Sequence, residues 1–62
     1  MTRDIYLGLE IFLRYNESDE CEGQHDEILA GLDVHPTPED RQRLADLGWE
    51  WDAENTCWRH GT

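Results

Sequence analysis

Fifteen aspartates and glutamates face five arginines in a chain of 62 residues, no lysine is present, and the net charge is −10. Any fold of this chain must hold those carboxylates apart, because self-repulsion at such a charge opposes compaction. A chain this short has little to set against it, since a domain of about 60 residues buries only about 60% of its unfolded surface. Three tryptophans, two tyrosines and one phenylalanine supply large apolar area per residue. They separate the chain from acidic disordered tails and lead us to expect one small acidic domain over 1–62.

The same charge disfavours nucleic acid and anionic membranes as direct ligands. No apolar run approaches the roughly 20 residues of a membrane span. The start, Met1-Thr2-Arg3-Asp4, places an acid at once and has no small-residue cleavage site, so no secretory signal is expected. Two cysteines are too few for a disulfide scaffold, which points to the cytoplasm, where a Cys21–Cys57 bridge is the less expected state.

Ile5, Leu7, Leu9, Ile11, Leu13 and Tyr15 fall at every second position, which predicts a first β-strand. The helical alternative, with a stripe of Ile5, Leu9, Phe12 and Leu13, leaves Leu7 and Ile11 outside. Residues 16–27 read as an acidic loop, punctuated by Gly23. Asp26 to Ala30 reads as a short second strand, with Ile28 and Ala30 on one face and a hairpin to the first strand. Thr37 is an N-cap, Pro38 suits the first helical position, and Thr37-x-x-Asp40 is a capping box with Asp in place of Glu. A helix over 38–47 follows, stopped by Gly48. Trp49 and Trp51 then pair with Trp58 and His60 across the turn Asp52-Ala53-Glu54-Asn55, in which Asn55 tolerates left-handed geometry. The expected fold is α+β: a small antiparallel β-sheet with one helix, in the order β-β-α-β-β.

Few residues suggest catalysis or a cofactor. Cys21, His25, Cys57 and His60 form a Cys₂His₂ set, the donors tetrahedral zinc takes. Their pairing as Cys-x₃-His and Cys-x₂-His departs from the usual Cys-Cys then His-His spacing, and in a strand Cys57 and His60 point to opposite sides. Carboxylate pairs abound without a cleft to serve them. No third group orients a Cys–His pair, and there is neither a phosphate loop nor a basic patch. We expect a protein that is not an enzyme and needs no cofactor, with a zinc-stabilised interaction module as the alternative.

What remains is the acidity itself. Ten net negative charges equal those of roughly five base pairs of B-DNA. Alternate residues on a strand lie about 6.6–6.8 Å apart, close to the phosphate spacing along one DNA strand; Glu50 and Asp52 stand in that relation, opposite the Trp49–Trp51 pair. Glu17, Asp19, Glu20, Glu22, Asp26 and Glu27 crowd one twelve-residue stretch, where cations from a partner would relieve their repulsion. With Glu50, Asp52 and Glu54 they form the candidate partner-binding surface, and Tyr6 or Phe12 is the candidate aromatic anchor. The plainer reading is an acidic surface that keeps the protein soluble. Glu39 and Asp40 have a sufficient role at the helix start.

Three segments carry a resemblance: His25 to Gly31 (His-Asp-x-hydrophobic-x-Ala-Gly), Asp40 to Trp49 (Asp-Arg-x-x-Leu-x-x-Leu-Gly-Trp), and Trp51 to Trp58 (Trp-Asp-x-Glu-x-x-x-Trp). With the size and charge, they make the chain resemble small phage-encoded inhibitors, in particular acidic anti-CRISPR proteins of type I, with type I-C the nearest class. The resemblance implies a DNA mimic that occupies the basic DNA or protospacer-adjacent-motif channel of a host CRISPR–Cas surveillance complex. It also implies a cytoplasmic monomer with a protein partner. The alternative within this class is a phage inhibitor of another DNA-binding host protein.

Overall fold

The computed structural model describes residues 2–61. The chain runs through α1 (Thr2–Tyr15), β1 (Glu22–Gly23), β2 (Glu27–Ala30), α2 (Pro38–Asp46), β3 (Trp49–Asp52) and β4 (Cys57–Gly61). The class is α+β, with one antiparallel sheet in the order β1-β2-β4-β3. Both helices lie on one face of it. The chain therefore passes twice through helix, strand and strand, and the two hairpins meet where β2 pairs with β4.

The expected first strand over Ile5 to Tyr15 is instead α1, which corrects both the β-β-α-β-β order and the single helix. Its buried residues are Gly8, Ile11 and Phe12, with Ile5 and Leu9 packed beside them. That is a helical stripe with a glycine at its centre, where a count of apolar side chains sees a gap. Leu13 and Tyr15, which the alternation would bury, are exposed. Gly8 is bare because α1 crosses Trp49 there: a Cβ on Gly8 would lie 2.0 Å from the indole Nε1. The same Nε1 donates to the Asp4 carbonyl at 3.2 Å. In place of the expected first strand, β2 pairs with the two-residue β1, which lies in the acidic segment expected to be a loop, and with β4.

The remainder follows the sequence closely. Thr37 Oγ1 accepts from the Asp40 amide at 3.3 Å, Pro38 opens α2, and Gly48 closes it at φ 93°, a value that favours glycine. Trp49 opposes His60 and Trp51 opposes Trp58. In the β3–β4 turn the left-handed residue is Thr56, at φ 50°, rather than Asn55. Phe12 meets Trp49 edge-on at 5.0 Å, and Trp58 donates to the Val34 carbonyl at 3.0 Å. Buried His60 has Nδ1 2.6 Å from the Gly61 carbonyl and Nε2 2.8 Å from that of Leu47.

Tyr15 ties the helices together. Its hydroxyl donates to Asp40 Oδ2 and accepts from the Thr37 amide at 3.1 Å, while Arg14 lies 3.3 Å from Asp40 Oδ1. The Tyr15 hydrogen bond first, and Arg14 with it, hold the Asp40 carboxyl below its ordinary value. A lowered folded-state value contributes stability above the unfolded value of about 3.9 and loses it as pH falls through the folded one. Tyr15→Phe is therefore expected to raise the Asp40 titration midpoint. Its stability should fall below that of the parent above about pH 4 and approach it in stronger acid. NMR titration of Asp40 and unfolding at a series of pH values check both.

Candidate functional site

Pleat alternation divides the sheet in two. Ile28, Ala30, Trp49, Trp51, Trp58 and His60 face the helices. Glu22, Glu27, Leu29, Glu50, Asp52, Cys57 and Arg59 face away. On this outer face Glu22, Leu29, Arg59 and Glu50 stand in one row across the four strands, spanning about 14 Å at 4.7–4.9 Å per strand. Glu50 and Asp52 are neighbours on that face, opposite Trp49 and Trp51, as the alternation of β3 requires.

The charge is segregated. α1 holds two acids and two arginines, and α2 holds three acids and two arginines. The other ten carboxylates lie in the sheet and its connections, where the one arginine is Arg59. Almost the whole net charge thus belongs to residues outside the two helices. Arg59 is itself engaged, with Nε 2.9 Å from Glu50 Oε1, and that bond pushes its guanidinium value up.

The nine acids expected from the sequence all fall in this region, with two kinds of role. Asp19 accepts from the Gly31 amide through both oxygens, at 3.1 and 3.0 Å, and so fastens the segment after α1 to the end of β2. Asp52 accepts from the Asn55 side chain at 2.8 Å and from the Glu54 and Asn55 amides. Those bonds, the Asn55 side chain foremost, lower its carboxyl and fix the β3–β4 turn. Glu50 holds Arg59. Among the described residues, Glu17, Glu20, Glu22, Asp26, Glu27 and Glu54 make no side-chain hydrogen bond or ion pair. Glu17 is in the turn after α1, Asp26 in the bend before β2 and Glu54 in the β3–β4 turn.

Removing Asp19 is expected to release that segment. Asp19→Ala leaves the Gly31 amide, on a buried residue, without its acceptor, a loss worth about 1–3 kcal/mol. Hydrogen exchange at Gly31 should accelerate while exchange at Trp58 in β4 changes little.

A concavity of about 570 Å³ opens between the 16–24 segment and the outer face, with Asp19, Glu20 and Glu22 around it and Leu29 and Cys57 beneath. Neither apolar residue belongs to the surface expected from the sequence, although the alternation of Cys57 with Trp58 places Cys57 on this face. Burial first, then the carboxylates of Asp52, Glu22, Glu27 and Asp19, push the Cys57 thiol up. The proposed aromatic anchors fall elsewhere. Phe12 is 0% exposed at the centre of the core, and Tyr6, 58% exposed, is on α1, beside Glu10 and away from the acidic face.

The zinc set is not brought together. Cys57 faces outward and His60 faces the core, on opposite sides of β4, while Cys21 is exposed and both cysteines are free. Among the described residues no three His, Cys, Asp or Glu side chains are grouped to hold a metal ion. No helix there is long and apolar enough to cross a membrane. The chain matches no protein-family model, no curated protein and no solved structure.

Proposed function

We propose that this protein is a DNA mimic: an anti-CRISPR-type inhibitor whose sheet side enters the basic DNA channel of a type I surveillance complex and keeps target duplex out. The observation that carries the proposal is the segregation of charge. Outside the helices ten acids stand against one arginine, a surplus equal to about 15 Å of B-DNA at one charge per roughly 1.7 Å of axis. The molecule, 29 × 20 × 20 Å in extent, can present that much charge along one side. Solubility alone gives no reason for the helices to be nearly neutral while the sheet side is so acidic.

Six unpaired carboxylates are then available to arginines and lysines of the target, giving fast, salt-sensitive association. Three more are committed to holding the surface in shape. Such an inhibitor acts before DNA binds. Added to a purified type I-C surveillance complex, the protein should abolish the gel shift of target duplex. Added after the duplex has bound, it should act only as fast as the duplex leaves. An undiminished gel shift at saturating protein would refute this target. Retention of the protein on other DNA-binding proteins from a host lysate would then favour the related reading, an inhibitor of a different DNA-binding protein.

A further inference from the structure

We propose that the outward face of α1 pairs with the same face of a second copy of this chain, antiparallel and about a two-fold axis. The inference is independent of the DNA-mimic reading. It concerns another side of the molecule and departs from the monomer that the resemblance implies. Among the described residues, the large hydrophobic side chains left exposed include Tyr6, at 58%, and Leu13, at 46%. Both lie on the side of α1 turned away from the buried stripe of Gly8, Ile11 and Phe12. With exposed Thr2 and half-buried Leu9 they occupy positions 2, 6, 9 and 13. Steps of four, three and four make the apolar seam by which two helices pair.

Charge names the occupant. On α1, Arg3 and Arg14 balance Asp4 and Glu10, so the net charge of −10 belongs to the rest of the chain. Two copies that repel each other elsewhere can meet at this face. Arg3 and Glu10 are both exposed and flank the seam on the same side, one heptad apart. Arg3 has no ion-pair partner among the described residues. In an antiparallel pair with Tyr6 against Leu9 of the second copy, Arg3 faces Glu10 of the second copy. The two-fold axis then repeats that pair. A slip of one heptad either way sets Arg3 against Arg3 or Glu10 against Glu10, so charge selects one register. A parallel pair gives neither residue an opposite charge. The seam is about 17 Å long, a small interface below the roughly 1,200 Å² of stable complexes. The dimer therefore forms only at high protein concentration.

Sedimentation equilibrium of the whole protein tests this at about 150 mM salt, where repulsion between the acidic sides is screened beyond about 8 Å. The expected result is a monomer at about 10 μM and a substantial dimer at about 1 mM, with concentration-dependent NMR shifts at Arg3, Tyr6, Glu10 and Leu13. Leu13→Gln, at an exposed position where substitution leaves the fold intact, should abolish the dimer. Arg3→Glu sets like charges together at both symmetry-related pairs and should weaken it about tenfold. Glu10→Arg should do the same. Arg3→Glu combined with Glu10→Arg keeps the net charge, remakes the pairs and should restore association. A monomer still at about 1 mM, a dimer indifferent to Leu13→Gln, a double variant no better than the single ones, or shifts confined to the sheet would each overturn the proposal.

Discussion

Gly8→Ala is expected to lower the thermal midpoint by about 10–20 °C, a loss of roughly 2–3 kcal/mol in a domain of this size. The direction is opposite to what a helix in isolation would give, where alanine is better than glycine by about 1 kcal/mol. It is also opposite to the gain expected had residues 5–15 formed a strand. The penalty arises because the new Cβ would lie 2.0 Å from Trp49 Nε1 and 2.6 and 2.7 Å from two ring carbons. A Cβ is fixed by the backbone and cannot rotate away, so α1 must lift or the indole must move. Either disturbs the bond to the Asp4 carbonyl and the edge-on contact with Phe12. Overpacking of this kind costs about 1–3 kcal/mol and occasionally more, against a total near 3–9 kcal/mol for a chain of this length. Gly23→Ala, whose Cβ meets nothing within 4 Å, should leave the midpoint nearly unchanged. Calorimetry on the two variants separates crowding at Trp49 from a general effect of losing glycine.

Glu17→Lys, Glu20→Lys and Glu22→Lys together are expected to weaken partner binding at least about a hundredfold while leaving the fold intact. Each side chain is exposed and none makes a hydrogen bond or ion pair among the described residues. Six units of charge change on a surface whose strength is its charge, and like charges set against a basic partner cost several kcal/mol. Asp19 is left in place because the Gly31 amide depends on it, so lost binding cannot be confused with a released loop. Fewer like charges in the 17–22 stretch should if anything raise stability. Circular dichroism through thermal unfolding, beside the binding curve, separates the two effects.

The elements with a local signature were legible in the sequence. Thr37, Pro38 and Gly48 bracket α2 by rules that act within a few residues, and the alternating tryptophans set the register of β3 and β4. The acidic surface was legible for a related reason: once β3 and β4 form, alternation alone decides which side Glu50 and Asp52 occupy. α1 was not legible as a helix. Its stripe runs through Gly8, whose lack of a side chain is the adaptation, and a hydrophobicity count reads no side chain as no signal. Leu7, Leu13 and Tyr15 complete an alternation by chance. An eleven-residue strand rich in leucine was itself unusual, since most strands run about 5–6 residues. What marks Gly8 as buried is Trp49, forty-one positions away, and no local pattern carries that contact. The division of labour among the acids was hidden likewise. Asp19 and Glu20 look alike in sequence, and only the position of the Gly31 amide makes one a fastener and leaves the other free. Phe12 lies on the outward side of a strand but on the buried side of a helix, so its expected role as a surface anchor fails together with the strand.

The central claim, that the sheet side stands in for DNA, is tested most directly by equilibrium binding of the protein to purified type I-C surveillance complex. The measurement is made with and without target duplex, at about 50 mM and about 200 mM salt. The account predicts tight binding that duplex displaces competitively and that weakens at least about tenfold between the two salt concentrations. Binding that is indifferent to duplex and to salt would contradict it.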